Sequence, residues 1–204
     1  MIAVVDYGVG NLFSLCCSLE AIGAKSVVTS DPDVIKSADR IILPGVGAFG
    51  DAAAKLRSTG LDKVVINEAK AGKPIFGICL GMQLLFEKSY EYGETEGLSL
   101  LKGSVIPMQG RIPEELKIPH IGWNALHIEV EHPLLKYVNE GEHVYFVHSY
   151  YAVDCKDSLI ASSEYGTAVT AAVALGNVAG MQFHPEKSGD VGLKILKAFV
   201  EWEV

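Results

Sequence analysis

Short apolar runs alternate with longer amphipathic segments through the first half of the chain. Runs of four or five residues that are rich in β-branched side chains predict buried strands at 2–6, 26–29, 40–43 and 74–78. Apolar residues that recur every three or four positions predict helices at 11–22, 48–57, 61–71 and from 80 to about 90. Strands and helices that alternate in this way form a mainly parallel sheet with helices on both faces.

The pattern changes after about residue 99, where helical spacing becomes rare. Further apolar runs predict strands at 103–108, 125–130, 144–153, 159–162, 168–174 and 177–182, and one last amphipathic segment predicts a closing helix at 191–202. We therefore expect one domain, residues 1–204, of the α/β class. Its central, mainly parallel sheet should be flanked by helices and extended by antiparallel strands.

Composition limits the kinds of partner that this domain is expected to bind. The 204 residues carry a formal net charge of −8 and contain no cluster of Lys or Arg, which argues against binding to a nucleic-acid backbone. No apolar run approaches the roughly 18 residues that a membrane span needs, so we expect a cytoplasmic protein with no membrane partner. The four cysteines show no C-x-x-C spacing, and we expect free thiols with neither a disulfide nor a metal site.

A cysteine between two glycines is the first candidate for chemistry. Gly77-Ile78-Cys79-Leu80-Gly81 follows a predicted buried strand and opens a predicted helix. This is the thiol counterpart of the G-x-S-x-G elbow, in which glycines permit a sharp turn that lifts the nucleophile above the sheet. Free N–H groups and the dipole at a helix N-terminus favour a thiolate. The alternative is a buried structural cysteine that packs between two glycines.

A histidine and a carboxylate stand two residues apart at the end of the last predicted strand. In His184-Pro185-Glu186 the imidazole can move protons while the carboxylate fixes its tautomer. Carboxyl ends of parallel strands are where open α/β sheets place their sites, so a relay with Cys79 is feasible there. The alternative is a polar residue that ends a strand, followed by an acid in the first turn of a helix.

The segment 45–50 matches G-x-G-x-x-G between a predicted strand and a predicted helix. A dinucleotide site needs an acidic residue about 20 positions later at the end of the next strand, whereas Glu68 lies inside a predicted helix. A nucleotide-binding module stays open as an alternative function. Beside a nucleophile, the same turn can present a backbone N–H that completes an oxyanion hole with the N–H of Leu80.

Together these motifs resemble the class I glutamine amidotransferases, whose patterns are a Pro-Gly-x-Gly turn, G-x-C-x-G-x-Q and a late His-Pro-Glu. They occur here in the family's order at 44–47, 77–83 and 184–186. The resemblance implies a flavodoxin-like fold and a glutaminase whose catalytic triad is Cys79, His184 and Glu186. It implies neither a metal nor an organic cofactor.

The resemblance also implies roles around the triad. The oxyanion would be held by backbone N–H groups of Gly45, Val46, Gly47 and Leu80. The α-carboxylate and α-amino group of L-glutamine would be held by Gln83, His148, Ser149 and Tyr150.

Three further segments, 6–11, 119–124 and 145–150, are similar to the glutaminase subunits of histidine biosynthesis. Their partner is a separate cyclase, a (β/α)₈ barrel, so the resemblance implies a heterodimer in which ammonia passes to that barrel. There it would be used to form imidazole glycerol phosphate and aminoimidazole carboxamide ribonucleotide. Asn11, Trp123 and Lys187 would lie against the partner. Glutaminase subunits of anthranilate synthase and pyridoxal phosphate synthase share the chemistry and stay open as alternatives.

Overall fold

Fourteen strands and six α-helices make up the protein in the computed structural model, which describes residues 1–204. The strands are β1 (Ile2–Val5), β2 (Ser26–Thr29), β3 (Arg40–Leu43), β4 (Ile75–Ile78), β5 (Lys88–Ser89), β6 (Thr95–Glu96), β7 (Ser104–Pro107), β8 (His120–Ala125), β9 (His127–Ile128), β10 (His143–His148), β11 (Tyr150–Val153), β12 (Leu159–Glu164), β13 (Ala168–Leu175) and β14 (Val178–Met181). The helices are α1 (Leu12–Ala21), α2 (Pro32–Ser37), α3 (Phe49–Thr59), α4 (Leu61–Lys70), α5 (Leu80–Leu84) and α6 (Gly189–Val200).

Eight strands form the central sheet in the order β2-β1-β3-β4-β14-β13-β12-β9. The first five strands of that order pair in parallel, and the last three are joined antiparallel. Smaller sheets, β10-β8 and β11-β7-β5-β6, lie outside it. The predicted fold class, a mainly parallel sheet with helices and an antiparallel extension, is confirmed.

Alternate residues of the parallel strands enter two separate cores. On β1, Val5 joins a cluster with Leu56 and Val65 from α3 and α4, whereas Val4 joins a cluster with Leu15 and Phe199 from α1 and α6. Side chains of a strand point alternately to opposite faces, so a strand buried on both sides must be apolar throughout. This explains why β1, β4 and β14 read as unbroken apolar runs.

The predicted helix from 80 to about 90 is wrong in length, because α5 ends at Leu84. The N–H of Leu98 donates to the carbonyl of Leu84 at 2.8 Å, and the N–H groups of Leu100 and Leu101 both donate to the carbonyl of Leu85 at 2.9 Å. Those carbonyls are therefore not available to the amides four residues later, and the chain turns into β5 instead. Long-range backbone pairing thus overrides a local helical pattern.

Helix α2 was not predicted, although its start carries a recognisable signal. The side chain of Asp31 accepts a hydrogen bond from the N–H of Asp33 at 2.8 Å, and Pro32 occupies the first helical position. An aspartate followed by proline is a common helix start. The helix has only six residues, which is too short for apolar periodicity to reveal.

None of the six α-helices combines the length and the apolar character that a membrane span needs.

Candidate active site

Cys79 lies between β4 and α5 in a backbone conformation that few non-glycine residues adopt. Its φ is 53° and its ψ is −109°. Such a conformation costs about 1–3 kcal/mol and persists only where the surroundings enforce it. Here the N–H of Cys79 donates to the carbonyl of Met181 at 2.7 Å, which continues the pairing of β4 with β14 into the turn. The strain is thus held by the sheet itself.

The two glycines of the elbow serve close packing, which corrects the reason given from the sequence. A Cβ on Gly77 would lie 2.6 Å from the backbone nitrogen of Met82, and a Cβ on Gly81 would collide with the carbonyl oxygen of Leu43. Neither glycine has a positive φ, whereas Cys79 does. The glycines let α5 approach β3 and β4, and the nucleophile itself makes the sharp turn.

His184 and Glu186 form a buried pair immediately after β14. Nδ1 of His184 lies 2.8 Å from Oε1 of Glu186, and the two side chains are only 2% and 3% exposed. Burial by itself disfavours an imidazolium, but the interactions of His184 with Cys79 and Glu186 outweigh it and raise the pKa of His184 to about 9. Nδ1–H therefore points to Glu186, while Nε2 has no hydrogen-bond partner. That nitrogen is available for proton transfer.

Cys79 and His184 line the same cavity, of about 640 Å³, at the carboxyl ends of the parallel strands. This volume falls in the usual range for a small-molecule site. Three of the predicted oxyanion residues and all four predicted substrate residues also line it: Val46, Gly47, Leu80, Gln83, His148, Ser149 and Tyr150. The structure therefore brings the candidate nucleophile, acid–base group and binding residues to one place.

The glycine-rich turn after β3 forms one wall of this cavity. Gly47 has a φ of +100° and open space around its Cβ position, whereas a Cβ on Gly45 would lie 2.6 Å from the hydroxyl of Tyr7. Val46, between them, is 40% exposed. Glu68, the acid that a nucleotide site would require, lies within α4 and pairs with Lys73 at 2.6 Å. The turn thus faces the cysteine and lacks the acidic partner of a nucleotide site.

Two of the predicted substrate residues are already engaged within the protein. The side-chain amide of Gln83 donates to the carbonyl of Tyr150 at 3.1 Å and to Oε1 of Gln182 at 3.0 Å. His148 uses both ring nitrogens, one on the carbonyl of Tyr150 at 2.8 Å and one on His120 at 3.1 Å. Burial lowers the pKa of His148 to about 3, so the ring is neutral. These two side chains shape the cavity wall, and Gln83 retains only its carbonyl oxygen for a ligand.

Sequence reasoning assigned no role to two residues that the fold places at the site. Gln182 is fully buried, and its side-chain amide points to Sγ of Cys79 at 3.7 Å. Glu91 lines the cavity and accepts a hydrogen bond from the N–H of Phe49 at 2.6 Å, while burial raises the pKa of its carboxyl group. Gln182 directly precedes the Phe-His-Pro-Glu run and could have been noticed. Glu91 lies in a short loop between β5 and β6 that carries no motif.

The predicted interface residues lie at the rim of the cavity or outside it. Trp123 is 53% exposed and packs edge-on against Tyr145, with ring centroids 6.0 Å apart. Nζ of the exposed Lys187 lies 5.8 Å from the same tyrosine ring. Asn11 precedes α1 but makes no capping hydrogen bond with its side chain. Of the three residues, only Lys187 lines the cavity.

Tyr145 connects this exposed cluster to His184. Its carbonyl accepts the N–H of His184 at 3.0 Å, and its own N–H donates to Oγ of Ser188 at 3.0 Å. Ser188 in turn donates to the carbonyl of His184 at 2.6 Å. A displacement of the Tyr145 backbone would therefore act directly on His184.

Comparison with known proteins gives consistent matches along the whole chain. The family described as glutamine amidotransferase class I matches residues 3–202. The chain is similar to the imidazole glycerol phosphate synthase subunit HisH of Oceanobacillus iheyensis, with 52% identity over 98% of both proteins. The subunit of the same name from Wolinella succinogenes is 49% identical over 98% of this chain and 99% of that protein.

Solved structures share the fold at much lower identity. A chain from the structure of PurLQS from Thermotoga maritima has a TM-score of 0.75 at 24% identity, covering 98% of this chain and 97% of that one. The glutaminase domain of Trypanosoma brucei CTPS with bound acivicin has a TM-score of 0.68 at 18% identity, covering 100% and 94%. These likenesses concern the arrangement of strands and helices alone.

Proposed function

Because the chain belongs to the class I glutamine amidotransferases, we propose that Cys79, His184 and Glu186 are the triad with which it hydrolyses glutamine. It is the glutaminase subunit of an imidazole glycerol phosphate synthase, since relatives of that name are about 50% identical to it over almost their full length. The observation that carries the triad is geometric. A strained cysteine and the histidine of a buried His–Glu pair line one cavity, and no other free thiol of the chain does.

In the first step, the thiolate of Cys79 attacks the side-chain carboxamide carbon of glutamine. The carbonyl π electrons move to oxygen, and backbone N–H groups of Leu80 and the turn at 45–47 hold the resulting oxyanion. The side-chain amide of Gln182, 3.7 Å from Sγ, favours the thiolate by donating to it. The thiolate forms when the Cys79 thiol passes its proton to Nε2 of His184, whose raised pKa favours the imidazolium.

In the second step, Nε2–H of His184 protonates the amide nitrogen as the carbon–nitrogen bond breaks, and ammonia leaves. A γ-glutamyl thioester on Cys79 remains. His184, now neutral, accepts a proton from water, which attacks the thioester, and the carbon–sulfur bond breaks to release glutamate. Glu186 keeps the imidazole in the required orientation throughout through its 2.8 Å contact with Nδ1.

Glu91 suits the α-amino group of the substrate. It is the only acidic side chain that lines the cavity, and its carboxyl group is already partly desolvated. An ammonium group that binds there would pair with the carboxylate and relieve the cost of its burial. We assign the α-carboxylate to Ser149 and Tyr150, which also line the cavity.

We further propose that the partner is a cyclase barrel and that it docks on the face that carries Asn11, Trp123 and Lys187. Two exposed apolar side chains, Phe13 at 81% and Ile121 at 58%, extend this face next to Asn11 and Trp123 in the sequence. Aromatic side chains of this kind often anchor protein interfaces. Contact with Trp123 or Lys187 would reach His184 through Tyr145.

The test is reconstitution with a cyclase barrel and, in parallel, with a chorismate-using subunit. We expect glutamine-dependent formation of imidazole glycerol phosphate only with the cyclase. Stimulation of glutamate release by the chorismate-using subunit alone would assign the chain to a different synthase. Absence of glutamate release with every partner would contradict glutaminase activity itself.

A further inference from the structure

Tyr7 lies directly behind the oxyanion turn, although none of the motifs includes it in the catalytic machinery. The residue follows β1, and its side chain is only 4% exposed. Its hydroxyl donates to the carbonyl oxygen of Pro44 at 2.6 Å, across 37 residues of sequence. Pro44 is the first residue of the turn at 44–47, so one buried hydrogen bond links the segment that follows β1 to the start of that turn.

The start of the turn is tightly enclosed, whereas its end is open. A Cβ on Gly45 would lie 2.6 Å from the hydroxyl of Tyr7 and 3.0 Å from the backbone nitrogen of Gly81. A Cβ on Gly47 would have no neighbouring atom within 4 Å, and Val46 is 40% exposed. The peptide between Pro44 and Gly45 therefore has little freedom, and the peptides on either side of Val46 have more.

The hydrogen bond also fixes a direction. In a trans peptide the carbonyl and the following N–H point in opposite directions, so holding the carbonyl of Pro44 sets where the N–H of Gly45 points. Burial, together with the negative charge of nearby Cys79, raises the pKa of Tyr7 well above its usual value. The hydroxyl therefore stays protonated and remains a donor while the thiolate is present.

We propose that Tyr7 is a positioning residue for oxyanion stabilisation, acting by its hydrogen bond to Pro44 to lock the first peptide of the turn. This inference rests on the proposed glutaminase function. Tyr7 touches neither the substrate nor Cys79 in this role. It fixes the start of the turn and restricts reorientation to the two peptides that flank Val46, so Val46 and Gly47, which line the cavity, are presented from a fixed anchor.

The test is Tyr7→Phe in the complex with the cyclase, since this change removes the hydroxyl and keeps the ring. Loss of one oxyanion donor lowers kcat by roughly 10²–10³, and a loosened donor should cost less, so we expect a fall of about tenfold with KM for glutamine unchanged. Tyr137→Phe is the matched control. The exposed Tyr137 donates its hydroxyl to Glu201 at 2.7 Å, and neither residue lines the cavity, so we expect wild-type kinetics.

Alkylation of Cys79 by iodoacetamide separates positioning of the turn from damage to the elbow. Displacement of iodide by the thiolate forms no oxyanion, so Tyr7→Phe should be alkylated at the wild-type rate. An unchanged kcat would overturn the proposal, and so would equal losses in kcat and in alkylation, which would show that Tyr7 supports Cys79 itself. An inactive wild-type complex would instead refute the proposed glutaminase function.

Discussion

Replacing Glu186 by glutamine tests how the buried pair with His184 contributes to catalysis. A rise in the pKa of His184 from 6.5 to about 9 corresponds to about 3 kcal/mol in favour of the imidazolium. A hydrogen bond to a charged group contributes about 1.5–3 kcal/mol, against about 0.5–1.5 kcal/mol for a neutral one. Glu186→Gln should therefore remove roughly 1–1.5 kcal/mol of this preference for the imidazolium and lower the pKa of His184.

The direction of the pH effect follows from the protonated form that the mechanism needs. His184 must carry a proton on Nε2 to release ammonia, and it loses that proton as the pH rises through its pKa. The basic limb of kcat/KM should thus lie near pH 9 in the wild type and at a lower pH in Glu186→Gln. The imidazolium of His184 carries protons on both nitrogens before the reaction. The side-chain oxygen introduced by Glu186→Gln can therefore accept from Nδ1–H in place of Oε1 of Glu186, and kcat should fall only about tenfold.

His184→Ala is the matched comparison, because it removes proton transfer altogether. General acid–base catalysis contributes about 10²–10⁴ in rate, so we expect a larger loss than in Glu186→Gln. The assay is steady-state glutamate release from pH 6 to 10 with the cyclase and its ligand present. A greater loss in Glu186→Gln than in His184→Ala, or a basic limb that does not move in Glu186→Gln, would refute the assigned roles.

Three further outcomes follow from the structure. A glutamine-mimicking alkylating agent should label Cys79 and spare Cys16, Cys17 and Cys155 in peptide mass mapping; because Cys17 is exposed, this selectivity must come from recognition in the cavity. Glu91→Gln should raise KM for glutamine roughly tenfold with a smaller effect on kcat, as a lost charge-assisted bond implies, whereas Glu94→Gln, which alters an exposed pair with Lys88, should change neither. The isolated subunit should release glutamate far more slowly than the complex with a ligand-bound cyclase, and equal rates would exclude activation by the partner. If the cyclase stimulated Lys187→Ala as fully as the wild type, Lys187 would have no part in transmitting that activation.

The succession of strands and helices along the chain and the place of the site could be predicted because each depends on local patterns. β3 and β4 are unbroken apolar runs, and the segments that follow them carry the glycine turn and the elbow at one edge of the sheet. The sequence alone also places Cys79 and His184 at strand ends. Their proximity follows from the parallel pairing of β4 with β14, which brings the ends of distant strands together.

The features that escaped prediction depend on contacts between distant segments. The end of α5 is set by the segment at 97–101, which takes the carbonyls that a longer helix would use. Glu91 reaches the cavity because the N–H of Phe49, the first residue of α3, holds its carboxylate. None of these positions carries a repeated spacing or a motif.

The most direct test compares the wild type with Cys79→Ser in the complex with the cyclase. Both proteins receive glutamine in one assay and ammonium salt in the other, and formation of imidazole glycerol phosphate is measured. We expect Cys79→Ser to abolish the glutamine-dependent reaction and to leave the ammonia-dependent reaction at the wild-type rate. Glutamine-dependent synthesis at the wild-type rate in Cys79→Ser would contradict the assignment of Cys79 as the nucleophile.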